Sequence, residues 1–130
     1  MIRSLFIIGL LFGSGALALV PTVDNLKVKE GFDVKVFAEG VGKARHIVTR
    51  DNGDVFVHLS ELNKGAIVAL RDTNGDQVAD KIEYFEDQVG TGLEIYKDYL
   101  YFSSDTTIYR RQFKGKDFVP SGPREVVVQS

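Results

Sequence analysis

The sequence predicts an all-β fold built from a repeated four-strand unit, the N-terminal portion of a β-propeller, and three observations predict it. Short apolar stretches alternate with polar residues at a period of two, the mark of half-buried strands. Turn residues punctuate them every few positions, with Asp51-Asn52-Gly53-Asp54 the strongest hairpin signal. The pattern then recurs: Val36-Phe37-Ala38 through Val41-Gly42 matches Tyr84-Phe85-Glu86 through Val89-Gly90, 48 residues further on. Four short strands every ~40–50 residues is the period of a propeller unit, which cannot bury both sheet faces without neighbours.

The chain has 130 residues, 44% of them hydrophobic and 26% charged, within the range of a single ordinary globular domain. A net charge of −2 and one short basic run, Arg110, Arg111, Lys114 and Lys116, give no nucleic-acid footprint. Those four residues read as a solvated hairpin edge. Residues 1–18 read as a signal peptide: Arg3 supplies the positive start, residues 5–12 the apolar centre, and Ala16 and Ala18 the small residues before the cleavage point. Gly9, Gly13, Ser14 and Gly15 interrupt the stretch, which falls short of the ~20 apolar residues of a membrane span. An uncleaved anchor is the rival. The expected destination is the periplasm or the exterior, with no membrane contact after cleavage. The sequence holds no cysteine, so neither a lipid-anchor site nor a disulfide framework follows.

Residues 19–31 form a lead-in. The first strand is expected at 32–38, where Phe32, Val34, Val36 and Ala38 share a face and Asp33 and Lys35 take the other. Strands at 46–50, 55–59, 66–70 and 81–85 complete a first unit spanning about residues 32–83. A second unit is expected over 84–124, with Asp98-Tyr99-Leu100-Tyr101-Phe102 in the place of Asp54-Val55-Phe56-Val57-His58 and Thr107-Ile108-Tyr109-Arg110 in the place of Ala66-Ile67-Val68-Ala69. Residues 125–130 read as the opening strand of a third. Two units and a stub fall short of the about four to eight that close a ring, so further units are needed for closure. A two-sheet sandwich is the rival architecture.

Chemistry concentrates at residues 72–83. Side-chain oxygens of Asp72, Asn74, Asp76, Asp80 and Glu83 and the carbonyl of Val78 fall at the spacing of a loop that wraps Ca²⁺, a hard cation taking about six to eight oxygens. Gln77 stands where such loops carry glycine, and strands rather than helices flank it. The competing explanation is a solvated turn, since Asp, Asn and Gly favour turns on conformational grounds. His46 and His58, the two histidines, fall in strands with no second polar partner in sight, which fits packed or sheet-face residues better than a general base. No phosphate loop, nucleophile elbow or zinc signature occurs.

With these residues in place, residues 31–130 resemble the N-terminal units of the sorbosone/glucose dehydrogenase family of quinoprotein β-propellers. The resemblance rests on residues 31–40, on Ala44-Arg45-His46-Ile47 leading to Asn52-Gly53-Asp54-Val55-Phe56-Val57, on Gly92-Leu93 through Tyr99-Leu100-Tyr101-Phe102, and above all on Val68-Ala69-Leu70-Arg71-Asp72-Thr73-Asn74-Gly75-Asp76 continuing to Ala79-Asp80. It implies a six-bladed periplasmic propeller that uses pyrroloquinoline quinone with Ca²⁺ to oxidise an aldose or sugar aldehyde. It further implies cofactor-side positions at Arg45 and Gln88, and a catalytic histidine from a later blade. Without that blade the chain is expected to be inactive by itself. A non-catalytic exported propeller that binds carbohydrate or protein, with a structural Ca²⁺ loop, is the alternative.

Overall fold

The computed structural model describes residues 26–130, so the expected signal peptide lies outside the described residues. Eight strands form two four-stranded antiparallel sheets, each a meander of sequence neighbours. The first sheet comprises β1 (Ala44–Thr49), β2 (Val55–Leu59), β3 (Ile67–Arg71) and β4 (Lys81–Phe85). The second comprises β5 (Leu93–Tyr96), β6 (Tyr99–Ser103), β7 (Thr107–Gln112) and β8 (Glu125–Gln129). No helix occurs among the described residues.

Two expectations differ from the structure. Residues 32–38 belong to neither sheet. A strand needs a neighbouring edge for its ladder, and here the carbonyl of Phe37 meets a lone amide, that of Ala79, at 2.8 Å. Phe37, Ala38 and Val41 pack on the outer face of the first sheet instead. Glu125–Gln129, expected to open a third unit, is the fourth strand of the second sheet: Ile108 stands opposite Val128 and Arg110 opposite Glu125. It completes in the second sheet what β4 completes in the first.

Alternation along the strands sorts the core. Val48, Phe56, His58, Ile67, Ala69 and Phe85 share one face of the first sheet. They pack against Leu93, Ile95, Leu100, Phe102 and Tyr109 of the second, with Phe113 and Phe118 from the β7–β8 connection filling the outer part. The other face of the first sheet carries Val57, Leu59, Val68 and Leu70 under residues 37–41. The two sheets approach most closely at their first strands, β1 and β5.

The ladder phase shows which faces meet. Arg50 and Asp54 close the first hairpin through Arg50 N–H to Asp54 O, so Val48 and Phe56, two residues out, form a hydrogen-bonded pair. In the second sheet Ser103 N–H reaches Gly92 O, which makes Glu94–Tyr101 a hydrogen-bonded pair and Leu93–Phe102 a non-hydrogen-bonded one. For L-residues the hand of the chain fixes which face of a hairpin carries the side chains of hydrogen-bonded pairs. Calling that face the front, the front of the first sheet packs on the back of the second. Unlike faces meet. Among the described residues the front of the second sheet is left over, while the back of the first lies under residues 37–41.

Candidate functional site

Arg45 lies at an irregularity in the β1–β2 ladder, where the register shifts between Ala44 and His46. Together with Ile47, Val55, Val57 and Leu70 it lines an open, largely apolar groove of about 390 Å³ on the back of the first sheet, walled on the other side by Val36 and Phe37. Arg45 is exposed and is the one full cation on this lining. Gln88 lies elsewhere, in the connection from β4 to β5, where its side-chain amide donates to Asp87 Oδ1 at 3.2 Å. No hydrogen bond joins Arg45 and Gln88. A tricarboxylate quinone requires several cations and donors converging on one centre; a lone arginine and a glutamine on a separate connection do not make that cradle.

The acidic loop is closed by its own backbone. Asp72 accepts the amides of Asn74 (3.1 Å) and Gly75 (2.7 Å) on Oδ1 and that of Gln77 (2.8 Å) on Oδ2. The Gln77 amide contributes most to holding the Asp72 carboxyl below its ordinary range. Asn74 accepts from Asp76, Asp76 accepts from Val78, and Asp80 receives both the amide and the hydroxyl of Thr73. Glu83 stands on β4 opposite Ala69, with its side chain exposed. Among the described residues no three acidic or histidine side chains form a metal-holding group. The donor set therefore does not fit a Ca²⁺ cage in this conformation; it fits a ladder of side-chain-to-backbone turns. Gln77 supplies the bend with φ +71°, the left-handed conformation that glycine adopts more readily.

His58 is fully buried and bridges the sheets. Its Nδ1 lies 2.9 Å from Gly92 O and its Nε2 2.9 Å from Gln88 O, and its ring meets Phe102 edge-on at 6.4 Å. Gly90 sits just below: a Cβ there would lie 1.9 Å from Ser103 O. Gln88 thus enters the structure through its backbone carbonyl, as an anchor for His58. His46, directly across from His58 in the ladder, is exposed.

Two charged networks brace this arrangement. Asp54 is wholly buried and receives Arg71 through Nε at 2.5 Å and Nη2 at 2.7 Å, Asn52 at 3.0 Å, and the charge of Arg50 at 3.8 Å. Burial raises the Asp54 pKa, but the hydrogen bonds from Arg71 and Asn52 and the two guanidinium charges outweigh it, leaving the carboxyl below its ordinary range. Arg50 covers the Phe113 ring at 4.1 Å and Arg71 covers Phe118 at 4.8 Å, tying the β7–β8 connection to the first sheet. In the connection between the sheets, Glu86 accepts from Arg111 on Oε1 at 2.7 Å and from Arg124 on Oε2 at 3.2 Å; within the second sheet Arg110 donates to its cross-strand partner Glu125 at 2.7 Å. Two members of the basic run, Arg110 and Arg111, are therefore ion-paired. Asp54 and Glu86 are the residues that sequence reasoning missed; the apolar ring partners of Arg50 and Arg71 lie too far along the chain to be read locally.

No family model, curated protein or solved structure matches this chain. Its class rests on its own geometry: an all-β protein of two antiparallel meanders stacked through unlike faces.

Proposed function

We propose that this chain carries two successive units of an exported β-propeller of quinoprotein sugar dehydrogenase type, and that its part in that assembly is structural. The observation that carries the propeller reading is the stacking of unlike faces with the first strands nearest. A repeated contact between unlike faces propagates around an axis, and convergence at the first strands makes each sheet a wedge. A sandwich that buries like faces leaves nothing to continue. The export reading rests on residues 1–18, and the quinoprotein reading on the residues around Arg45 and on the run from Val68 to Asp80.

Within such a ring Arg45, on an innermost strand, is the residue of this chain that can meet an anionic cofactor, by charge and by exposure. When bound, the quinone accepts the electrons of the oxidised sugar; the residues described here supply scaffold and one cation. The test is dye reduction by the complete ring with pyrroloquinoline quinone, Ca²⁺ and an aldose or sugar aldehyde. Activity in the ring, none in this chain alone, and about a tenfold weaker quinone affinity for Arg45→Ala is the expected pattern. An active ring with unchanged affinity in Arg45→Ala removes Arg45 from the site.

A second reading has an observation of its own. The loop at residues 72–80 spends its oxygens on its own backbone, and the Arg45 groove carries no carboxylate. Both features suit a non-catalytic exported propeller that binds carbohydrate or a protein partner. A ring that binds glycans without reducing dye favours it.

A further inference from the structure

We infer that the groove between residues 36–41 and the first sheet binds a single-chain organic anion: an unbranched apolar tail ending in one carboxylate, as in a medium-chain fatty acid. The lining comes wholly from residues 36–70, so the inference stands independently of the propeller reading. That reading asks Arg45 for a charge; the groove beside Arg45 adds a place for a tail.

Three observations carry the inference. First, the groove has a packed floor and a fixed wall. Val57 and Leu70 are buried on the back of the first sheet, with Val55 on the same face. Facing them, the segment with Val36, Phe37 and Val41 is pinned at two points: the Phe37 carbonyl accepts the Ala79 amide at 2.8 Å, and the Val41 carbonyl accepts the Tyr84 hydroxyl at 3.1 Å. Gly42 then turns the chain toward β1 at φ +114°, where a Cβ would meet the Leu59 side chain at 3.2 Å.

Second, size and lining suit one alkyl chain. The volume of about 390 Å³ lies near the lower end of the ~300–1,000 Å³ of small-molecule sites, and like them the groove is lined mainly by apolar side chains. Ile47, 62% exposed at the rim, offers apolar surface for a tail to cover.

Third, the charge is uncommitted. Arg50, Arg71, Arg110, Arg111 and Arg124 each pair with a carboxylate, whereas Arg45 pairs with none among the described residues. It is exposed, and no carboxylate shares the lining with it. One planar guanidinium matches one carboxylate through two parallel hydrogen bonds; a phosphate dianion or a tricarboxylate calls for more donors than this lining holds.

The test is titration of the full chain with laurate, below the concentration at which it forms micelles, followed by calorimetry and methyl NMR. The expected Kd is about 10–100 μM, tightening about two- to threefold per methylene from octanoate to laurate. Shifts are expected at Ile47, Val55, Val57 and Leu70, and not at Ile108, Val126 and Val128, which are also exposed but lie on the second sheet. Arg45→Ala should weaken laurate binding about tenfold. Arg45→Glu should lose laurate and take up dodecyltrimethylammonium, which has the same tail and the opposite charge. The exposure of Arg45 leaves the fold intact in both variants. Absence of saturable laurate binding overturns the inference, as does equal binding of the two amphiphiles by the parent or a shift pattern that spreads to Ile108 and Val128. Contacts from Val57 and Leu70 to residues 1–25 in the ligand-free chain also overturn it, because the chain then fills its own groove.

Discussion

Replacing Asp54 by alanine removes the carboxylate on which the β7–β8 connection is hung. The side chain is wholly buried and accepts two hydrogen bonds from Arg71, at 2.5 and 2.7 Å, and one from Asn52 at 3.0 Å. Breaking one side of a buried ion pair costs about 3–5 kcal/mol when the partner charge stays buried. Arg71 is 27% exposed, so its guanidinium regains part of its hydration and the loss falls to about 2–3 kcal/mol. A domain of this size has about 5–15 kcal/mol in total, which makes the change large. Asp54→Asn keeps the shape and loses the charge, for about 1–2 kcal/mol. Urea unfolding followed by circular dichroism measures both, and the two variants also differ from the parent in acid. The folded-state pKa of Asp54 lies below its unfolded value, so its contribution is present above about pH 4 and disappears as pH falls through the folded pKa. Asp54→Asn should therefore be less steeply destabilised than the parent as pH falls below about 4. An Asp54→Ala loss below about 0.5 kcal/mol would refute the bracing role.

Four further perturbations probe the interface and the loop. His58→Ala leaves the carbonyls of Gln88 and Gly92 without their ring partner and opens a void beside Phe102, for an expected loss of about 2–4 kcal/mol by urea titration. Gly90→Ala places a methyl where Ser103 O already lies, and an expected melting-temperature drop of at least about 8 °C checks that the backbones touch there. Gln77→Gly relieves a left-handed glutamine and should change stability by no more than about +1 kcal/mol, whereas Gln77→Val should lower it. With the loop closed on its own amides, millimolar Ca²⁺ should move the melting temperature by less than about 1 °C, and a larger rise would show that the oxygens turn to a cation.

Period-two alternation carried most of the strand assignments. The expected spans at 55–59 and 81–85 coincide with β2 and β4, and those at 46–50 and 66–70 differ from β1 and β3 by a residue or two. The pattern misplaced residues 32–38 because alternation records which face a side chain favours, while strand formation also needs a partner edge, and none adjoins that segment. Glu125–Gln129 reads alike as the last strand of one unit or the first of the next, and only pairing with β7 decides. His58 was legible as a packed histidine, but its carbonyl partners lie 30 and 34 residues away. Asp54 read as a hairpin residue, which it is, yet its burial depends on Arg71 and on a connection rich in polar residues that nonetheless delivers Phe113 and Phe118 to the core. The acidic loop is the hardest case. Turn chemistry and Ca²⁺ chemistry select the same residues, and what separates them is the direction in which each oxygen points.

The stacking of unlike faces is tested most directly by nuclear Overhauser contacts from the His58 ring in isotope-labelled protein. Contacts to Phe102 and Gly90, on the second sheet and its entry, are predicted by a front-to-back stack. Contacts from His58 to Phe37 and Val41, on the opposite face of the first sheet, would contradict it.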